Sequence, residues 1–580
     1  MDSDSIIIHG SRPMLGTSDF ADLRQSDGLY VDKTALIREV VERGSKTLAY
    51  LRPRRFGKSL ALSMLKCFLD CRDPRPELFE GLEIARDRAF WDRHFGKYPV
   101  ILLSLKSLDC DTFPKMLEKL ADALQSMAEG FGYLLESKRL RASQKRFLEH
   151  LMDGTPTQRE MEKSLSMLSR MLCVHHGQRC VILLDEYDVP LNRAHLKNYY
   201  DQAVDVIRPL MGMALKDNEA LRFGLVTGCL RIAKESIFTG LNHQDVHTVL
   251  TPESREWFGF SPREVQAALA ARGAAGRYAD VQKWYDGYLF GEHDVYNPWS
   301  IMNFLASVGP ASPDGRLTTY WANTSGNAIL ARLLERAERR RTLAGAIEGL
   351  FNDEPVVCRV SETVTYADML DRDDTLWSVM LFSGYLKPAD AYQYGADCRL
   401  RLPNREVREL LREAVRDWLA HPTQPGRGGR LLDALVAGRV QEAQDILTAL
   451  LRATISYNDY SEDFYHAFLA GLLASVDSAQ VLSNREAGDG RMDIGVLAGD
   501  GQTALVLELK VAPSFDKLGD SARKGLDQID ARHYASVFSD IDGIEIRRYG
   551  VAFCRKACAV ALADGQAPQD SPTDGTAPRP

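Results

Sequence analysis

The chain has 580 residues, of which 45% are hydrophobic and 26% charged, a composition typical of a folded protein with about two to four domains. Its formal net charge of −8 excludes a polycation that coats nucleic acid indiscriminately, so contact with nucleic acid requires local basic patches or metal ions. No apolar run approaches the roughly 20 residues of a bilayer span, and residues 1–4 lack the features of a signal peptide. We therefore expect a cytoplasmic protein without a membrane partner.

The first 230 or so residues alternate short apolar segments with longer amphipathic ones. The apolar segments predict buried strands, and the amphipathic segments predict helices between them. Such alternation is typical of a parallel sheet that helices cover on both faces. The predicted strands are Thr47–Leu51, 100–105, 181–184 and 223–227, and the clearest helices are 113–131 and 160–173.

The segment after the first strand, Arg52-Pro-Arg-Arg-Phe-Gly-Lys-Ser59, ends like a P-loop that opens a helix. In such a loop, backbone N–H groups and the helix N-terminus bind phosphate oxygens. We expect Lys58 to reach the β- and γ-phosphates of ATP and the Ser59 hydroxyl to ligate Mg²⁺. The predicted nucleotide-binding residues at the end of the loop are Arg55, Phe56 and Gly57. Arg52 stands where the pattern has its first glycine. Arg52, Arg54 and Arg55 together make the loop unusually cationic, which would tighten phosphate binding or alter the geometry of the loop.

The strand at 180–184 ends in two carboxylates, Asp185 and Glu186. The hypothesis is that Asp185 holds Mg²⁺ and that Glu186 polarises the attacking water as a general base. The alternative, a buried strand with a solvated acidic end, is disfavoured by the P-loop upstream.

The strand at 223–227 ends in a hydroxyl, Thr227, which we interpret as a contact to the γ-phosphate. Arg231 and Lys234 follow it, either as phosphate contacts or as surface cations.

Beyond residue 261 the pattern becomes mainly helical up to about residue 419. It includes the charged stretch 331–341, which favours a solvated helix face over a nucleic-acid patch. The turn-rich stretch 421–429 is the preferred linker. Residues 567–580 are rich in Pro, Gly, Asp and Thr and predict a disordered tail.

Two carboxylates and a lysine lie close together in the C-terminal part of the sequence. Gly488-Asp-Gly-Arg-Met-Asp493 leads through a Gly499-Asp-Gly501 turn to Thr503-Ala-Leu-Val-Leu-Glu508-Leu-Lys510. This pattern predicts a β-hairpin in which Asp493 starts one strand and Glu508 ends the next. Glu508 and Lys510 are two residues apart and therefore share a strand face, which Asp493 of the opposing strand can join. Such a set suits a magnesium-bound phosphodiester site, in which Asp493 and Glu508 ligate the metal.

Glu462 on a preceding helix is a candidate third carboxylate, and Gln528 and Tyr534 downstream are candidates to position substrate. A Glu-x-Lys pair is a weak motif by itself, because exposed strands often alternate these residues. Here the flanking residues 504–507 are apolar, so burying both charges without a use would be costly.

These segments resemble a bacterial and archaeal family in which an AAA-ATPase-like domain precedes a PD-(D/E)xK nuclease domain. The resemblance runs from about residue 11 to 558. Its N-terminal segments are Tyr30-Val-Asp-Lys-Thr34, Arg52-Pro-Arg-Arg-Phe-Gly-Lys-Ser59, Leu184-Asp-Glu-Tyr-Asp-Val-Pro190 and Ser236-Ile-Phe-Thr-Gly-Leu-Asn242. The middle segments are Trp284-Tyr-Asp-Gly-Tyr288, Tyr296-Asn-Pro-Trp-Ser300, Trp321-Ala-Asn-Thr-Ser325, Phe382-Ser-Gly-Tyr385 and Pro403-Asn-Arg-Glu-Val407. The C-terminal ones are the Asp493 and Glu508-Leu-Lys510 segments.

The resemblance implies an α/β protein with a P-loop NTPase parallel sheet of the AAA/ASCE type, a helical accessory region and a restriction-endonuclease-like α/β domain. It also implies that Arg52 in place of glycine is a family trait. The family has been linked to defence or mobile elements, and the resemblance does not decide between these roles here. The predicted domains are a P-loop domain (1–261), a helical lid (262–420), a nuclease-like domain (430–562) and a disordered tail (563–580).

The leading hypothesis is an ATP-regulated, magnesium-dependent nuclease, with ATP and Mg²⁺ as cofactors and DNA rather than RNA as partner. One alternative is an NTP-dependent switch or scaffold whose nuclease-like domain binds nucleic acid or protein without cutting it. The other is a nuclease whose ATPase domain is only structural. The sequence leaves self-association into a homo-oligomer open.

Overall fold

Thirteen stretches of the chain are described by the computed structural model, together with the single residues 253, 312, 330, 333, 392, 393, 476 and 541. The stretches are 8–231, 244–251, 256–309, 314–321, 341–351, 353–362, 372–390, 395–420, 427–454, 462–474, 479–499, 501–539 and 543–563.

The helices and strands alternate along the first part of the chain and are mixed thereafter. The strands are β1 Ile8–His9, β2 Tyr30–Val31, β3 Thr47–Leu51, β4 Val100–Ser104, β5 Cys180–Asp185, β6 Leu221–Gly228, β7 Gln244–His247, β8 Tyr288–Phe290, β9 His293–Val295, β10 Val356–Cys358, β11 Lys387–Pro388, β12 Cys398–Arg401, β13 Gln480–Ala487, β14 Gly490–Leu497, β15 Thr503–Val511, β16 Glu545–Cys554 and β17 Ala557–Leu562. The helices are α1 Phe20–Gln25, α2 Ala35–Glu42, α3 Lys58–Leu69, α4 Arg88–His94, α5 Phe113–Glu129, α6 Ala142–Met152, α7 Gln158–His176, α8 Val189–Leu196, α9 Tyr200–Leu215, α10 Pro262–Ala271, α11 Tyr278–Tyr285, α12 Pro298–Ser307, α13 Arg341–Phe351, α14 Asp373–Ser383, α15 Arg405–Ala420, α16 Arg427–Val436, α17 Val440–Thr454, α18 Glu462–Ala474 and α19 Leu518–Ala531.

Five parallel strands form the central sheet of the N-terminal part, in the order β4-β5-β6-β3-β7. Its middle strands are buried on both faces, as their runs of Val, Ile and Leu predict. Helices α3, α5, α7 and α9 pack against it. The carboxyl ends of parallel strands meet at one edge, where α/β proteins bind their ligands.

The middle part of the chain combines helices with short antiparallel strands. Strands β8 and β9 form a hairpin, and a three-stranded sheet has the order β10-β12-β11. Helices α10, α11 and α12 share a hydrophobic core with Tyr285 and Tyr296. The region predicted as mainly helical therefore also contains β-structure.

A mixed five-stranded sheet, β13-β14-β15-β16-β17, forms the C-terminal part. The pair β15–β16 is parallel and the other three pairs are antiparallel. One face packs on α16, α17 and α18, and the other packs on α19. Helix α19 approaches closely because Gly550 on β16 has no side chain: an added Cβ would lie 1.9 Å from the carbonyl oxygen of Ala522.

The chain divides into two compact units. The first consists of residues 1–324 and 353–410, and the second consists of residues 325–352 and 411–580. The predicted domain boundaries remain predictions. Residues 421–426 of the predicted linker, the tail from 564 and most of 331–340 lie outside the described residues, whereas 427–429 begin α16. None of the described helices has both the length and the hydropathy that crossing a bilayer requires.

Candidate functional sites

The predicted phosphate loop, residues 52–59, connects β3 to α3. Two of its residues have backbone φ angles in the left-handed region. Gly57, the N-cap of α3, has φ 83°, and Arg55 has φ 70°. Glycine adopts such angles without strain, whereas arginine does not, so the surroundings must hold Arg55 in place. The first turn of α3 follows the loop directly, and the free N–H groups of a helix N-terminus are a common phosphate-binding site.

Lys58 is buried at the start of α3, with only 4% of its surface exposed. Its ammonium donates hydrogen bonds to the carbonyl oxygens of Arg52 and Pro53, each at 2.9 Å. Burial lowers the pKa of Lys58, but the negative charges around it, including Glu186 and Asp188, outweigh burial and the net pKa is raised. The side chain therefore carries a fixed positive charge inside the loop.

Asp185, at the end of β5, links the loop to the neighbouring strand β6. Its carboxylate accepts a hydrogen bond from the Ser59 hydroxyl at 2.6 Å and another from the Thr227 hydroxyl, also at 2.6 Å. Burial raises the pKa of Asp185, and these two hydrogen bonds oppose the rise. Because β6 lies between β3 and β5, the three predicted polar residues Ser59, Asp185 and Thr227 meet at one edge of the sheet.

Glu186 follows Asp185 directly and has φ 54°, a second non-glycine residue in the left-handed region at this site. Its side chain is half-buried, and its negative charge favours the protonated forms of the nearby Lys58, Arg54 and Arg55. Backbone strain of this kind often marks a functional position.

Asp188 is a site residue that the sequence reasoning did not single out. One of its oxygens accepts hydrogen bonds from the amides of Cys229 (2.9 Å) and Leu230 (3.0 Å), and the carboxylate is 95% buried. Burial and the charge of Glu186 raise its pKa. The signal that the sequence offers for it is the segment 184–190 of the family resemblance, which contains Asp188.

Arg52 does not add a cation to the surface of the loop, although the sequence suggested it. Its side chain is fully buried, with the guanidinium 4.9 Å from the ring centre of Phe290 and 5.8 Å from that of Phe258. Burial lowers its pKa to about 10, so the group stays charged at neutral pH. The position that is glycine in the P-loop pattern can hold Arg52 here, because Phe258 and Phe290, more than 200 residues later in the chain, surround its guanidinium.

Phe56 also faces this cluster, at 5.0 Å from Tyr288 and 5.2 Å from Phe290 between ring centres. Only its backbone amide is therefore available to a phosphate. Arg55 is exposed and stacks on Trp299 at 4.2 Å.

The hydroxyl and carboxylate oxygens of Ser59 and Asp185 are hard donors that suit Mg²⁺. Their 2.6 Å separation places both within reach of one ion. The residues of the loop thus fit a magnesium–nucleotide complex, in which Ser59 and Asp185 are the side chains that could hold the metal.

The second candidate site lies where β14 separates from β15. The ladder between these strands ends at the pair Ile494–Leu507, whereas β15 continues to Val511. Beyond that point the carboxylate of Asp493 accepts a hydrogen bond from the Leu509 amide at 2.8 Å. Asp493 lies within β14 rather than at its start, as the sequence had suggested. The hairpin itself is confirmed.

Glu508 and Lys510 share one face of β15, as their spacing predicts. The Lys510 ammonium donates to a Glu508 carboxylate oxygen at 2.9 Å, and the side chains are 24% and 2% exposed. Asp493 bonds the backbone between them, at Leu509. All three polar side chains therefore gather at the fork between the two strands.

The other predicted residues of this site lie on neighbouring helices. Glu462 is the first residue of α18, and its side chain lies outside the described residues. His466, one turn later, donates from its ring nitrogen to the Asp493 carbonyl at 2.9 Å. Gln528 lies on α19 and donates to the Tyr534 hydroxyl at 3.4 Å, but Tyr534 belongs to a separate short helix, Tyr534–Phe538.

Among the described side chains, no three His, Cys, Asp or Glu residues form a cluster that could hold a metal ion. Mg²⁺ nevertheless commonly binds through one or two carboxylates, with water and substrate phosphate completing its shell. Asp493 and Glu508 meet that requirement.

Comparison with known families identifies both parts of the chain. The profile of the predicted AAA-ATPase family matches residues 14–238, and that of the PD-(D/E)XK nuclease superfamily matches residues 460–562. The chain therefore contains an AAA-ATPase-like domain followed by a PD-(D/E)XK nuclease superfamily domain. This confirms the resemblance, and the two sheets confirm the predicted mixed α/β fold class.

A similar protein along nearly the whole length is the uncharacterized protein in the vnfD 5′ region of Azotobacter chroococcum. It is 28% identical over 560 residues, covering 94% of this chain and 97% of the relative. A Walker-type ATPase of Pyrococcus abyssi aligns at 14% identity with a TM-score of 0.38, covering 67% of this chain and 97% of that one.

Proposed function

We propose that this chain is an ATP-regulated, magnesium-dependent nuclease that cuts DNA. The observation that carries the proposal is the fork at Asp493, where two carboxylates and a lysine gather on a nuclease-superfamily sheet. A second set of phosphate-binding side chains, in the ATPase-like domain, supplies the regulation.

In the ATPase-like domain, Lys58 and the first turn of α3 would bind the phosphates, and Ser59 and Asp185 would hold Mg²⁺. Glu186 orients the attacking water and accepts its proton. Thr227 fixes the Asp185 carboxylate through its 2.6 Å hydrogen bond.

In the nuclease-like domain, Asp493 and Glu508 would hold the metal, and a bound divalent ion would supply the positive charge that lowers the cost of forming hydroxide and of charging the phosphodiester. Lys510 contributes a positive charge to the phosphorus centre as negative charge develops there. Two hydrogen bonds fix Asp493. The Leu509 amide donates to its carboxylate, and the His466 ring donates to its carbonyl oxygen.

We place this activity in the cytoplasm. All ten cysteines are free thiols, which agrees with a reducing compartment.

The alternative is an NTP-dependent switch whose nuclease-like domain binds nucleic acid or protein without cutting. The net charge of −8 and the direct pairing of Lys510 with Glu508 favour this reading. Nucleotide binding without any magnesium-dependent cleavage would support it over the nuclease.

The decisive assay compares magnesium-dependent DNA cleavage by the wild type, Asp493→Asn and Asp489→Asn. The asparagine at 493 keeps an acceptor for the Leu509 amide but removes the charge, so cleavage should fall by about 100-fold. Asp489 is an exposed carboxylate four residues upstream, and its variant should cleave like the wild type. Equal cleavage by Asp493→Asn would overturn the assignment.

A further inference from the structure

The phosphate loop rests on a segment that lies outside the matched ATPase-like region. Residues 296–300, Tyr-Asn-Pro-Trp-Ser, lead into and start α12, more than 230 residues after the loop. This segment and the loop belong to the same compact unit. We call it the loop platform.

Asn297 is the first contact of the platform. It is fully buried, and its carboxamide oxygen caps α12 by accepting from the Trp299 amide at 2.9 Å. Its NH₂ group donates to the carbonyl oxygen of Arg54 at 3.4 Å. The Asn297 side chain thus caps the N-terminus of α12 and also holds the backbone of Arg54, the residue immediately before the left-handed Arg55.

Trp299 is the second contact. Its face carries the Arg55 guanidinium at 4.2 Å, and its indole N–H donates to the Tyr320 carbonyl at 3.0 Å. The indole therefore has a fixed orientation. Arg55 is the loop residue with φ 70°, so the stack holds the side chain of the residue whose backbone most needs support.

The platform is itself anchored from behind. The Ser300 hydroxyl donates at 2.7 Å to Glu406, a carboxylate that is 1% exposed and also accepts from the Tyr320 (2.8 Å) and Trp321 (2.9 Å) amides. Helix α12 therefore cannot shift without breaking a buried network.

From these contacts we propose that Asn297 and Trp299 are positioning residues for nucleotide binding, which act by holding Arg54 and Arg55 in the phosphate-accepting conformation of the loop. The inference rests on the proposed function of the loop and adds residues from outside the matched ATPase-like region to it. A loop whose first glycine is replaced by a buried arginine takes its rigidity from this platform.

The test measures two quantities for Trp299→Leu: the Kd for ATP by calorimetry, and hydrogen exchange of the loop amides without nucleotide. We expect the Kd to rise about three- to tenfold and loop exchange to accelerate. The Trp299→Phe variant keeps an aromatic face and should recover most of both losses.

The matched control is Trp284→Leu, because Trp284 also stacks on an arginine, Arg405, at 4.5 Å, and neither residue belongs to the loop or to the loop platform. It should leave ATP affinity and loop exchange unchanged. Repeating Trp299→Leu in an Arg55→Ala background should give no further loss of affinity, because the tryptophan then has nothing to position.

The outcomes separate the two claims. If wild-type protein binds ATP but Trp299→Leu changes neither affinity nor loop exchange, the platform inference is wrong and the proposed function stands. Equal losses for Trp299→Leu with and without Arg55, or equal effects of Trp284→Leu, also overturn it. If wild-type protein binds no ATP, the proposed function fails, and loop exchange then decides whether the platform orders the loop at all.

Discussion

At the residue scale, the two candidate sites use buried charge in different ways. In the phosphate loop, Lys58 is surrounded by loop carbonyls and three carboxylates, so its positive charge is retained despite burial. At the β14–β15 fork, the buried Glu508 is paired with the more exposed Lys510. Removing one residue of such a pair leaves the other charge buried without that ion pair. The free energy of unfolding then falls by more than the intact pair contributes to it.

The first prediction concerns Lys58. Replacing it with alanine removes a charged group that we expect to bind the phosphates, so the Kd for ATP should rise about 10- to 100-fold. Lys66→Ala, eight residues later on the same helix, is the control and should bind ATP normally. Calorimetric titration measures both, and unchanged affinity in Lys58→Ala would rule out this lysine as a phosphate contact.

A second prediction concerns Lys510. Because Glu508 is 2% exposed, Lys510→Ala should lower the free energy of unfolding by about 3 kcal/mol as well as abolish cleavage. The double variant Lys510→Met with Glu508→Gln removes both charges and should recover most of the stability but none of the activity. Denaturant unfolding of the two variants separates stability from chemistry, and recovered cleavage in the double variant would contradict the proposed roles.

At the element scale, the fold positions each site by close packing of a helix against strands. Helix α19 contacts β15 and β16 where Gly550 and Gly525 face each other, and a Cβ at Gly525 would lie 3.1 Å from the Glu508 carbonyl. Helix α12 is fixed through Ser300 and Glu406. Small changes at these contacts are therefore expected to move the site residues.

Gly550→Ala should destabilise the protein by about 1–3 kcal/mol, because the new methyl group meets backbone oxygen that cannot rotate away. Gly519→Ala, at the first turn of α19, meets only the end of the Arg523 side chain at 3.9 Å and should be neutral or slightly stabilising. Comparing their denaturant midpoints tests the packing. Equal midpoints would mean that α19 does not sit as close to β16 as these atoms imply.

Glu406 gives the α12 anchor a pH dependence. Burial raises its pKa from 4.5 to about 7 against the effect of three hydrogen bonds. Between these two pH values the folded state holds a proton that the unfolded state has lost. The resulting contribution of Glu406 to the free energy of unfolding is therefore complete below pH 4.5 and disappears as the pH rises through 7. It amounts to about 3 kcal/mol. Glu406→Gln keeps the shape without titrating, so its free energy of unfolding should fall less than that of the wild type between pH 5 and 8.

At the scale of the whole molecule, the chain joins an AAA-ATPase-like domain to a PD-(D/E)XK nuclease superfamily domain. Both domains are recognised by family, and each carries its own set of polar residues on its own sheet. A regulatory link between them is the part of the proposal that only measurements on the intact chain can test.

The sequence predicted the elements with strong local signals. Thr47–Leu51 was predicted to the residue, and the hairpin carrying Asp493 and Glu508 followed from alternation and a glycine turn. These features depend on residues that are close in the chain. Ser59, Asp185 and Thr227 were each predicted to belong to the nucleotide site from their places in the loop and at two strand ends, and the structure brings the three together.

The remainder depended on distant contacts. Nothing near Arg52 indicates that Phe258 and Phe290 bury it, and the Asn297 contact to Arg54 spans 243 residues. The segments 296–300 and 403–407 could be matched to a family without their role becoming visible. Only coordinates place them behind the loop.

The measurement that tests the account most directly is magnesium-dependent cleavage of plasmid DNA, with and without ATP, by the wild type, Lys58→Ala and Asp493→Asn. We predict that ATP changes the wild-type rate, that Lys58→Ala cleaves at one rate in both conditions, and that Asp493→Asn cleaves about 100-fold more slowly than the wild type in both. Cleavage by Asp493→Asn at the wild-type rate, or an ATP effect that survives in Lys58→Ala, would contradict the account.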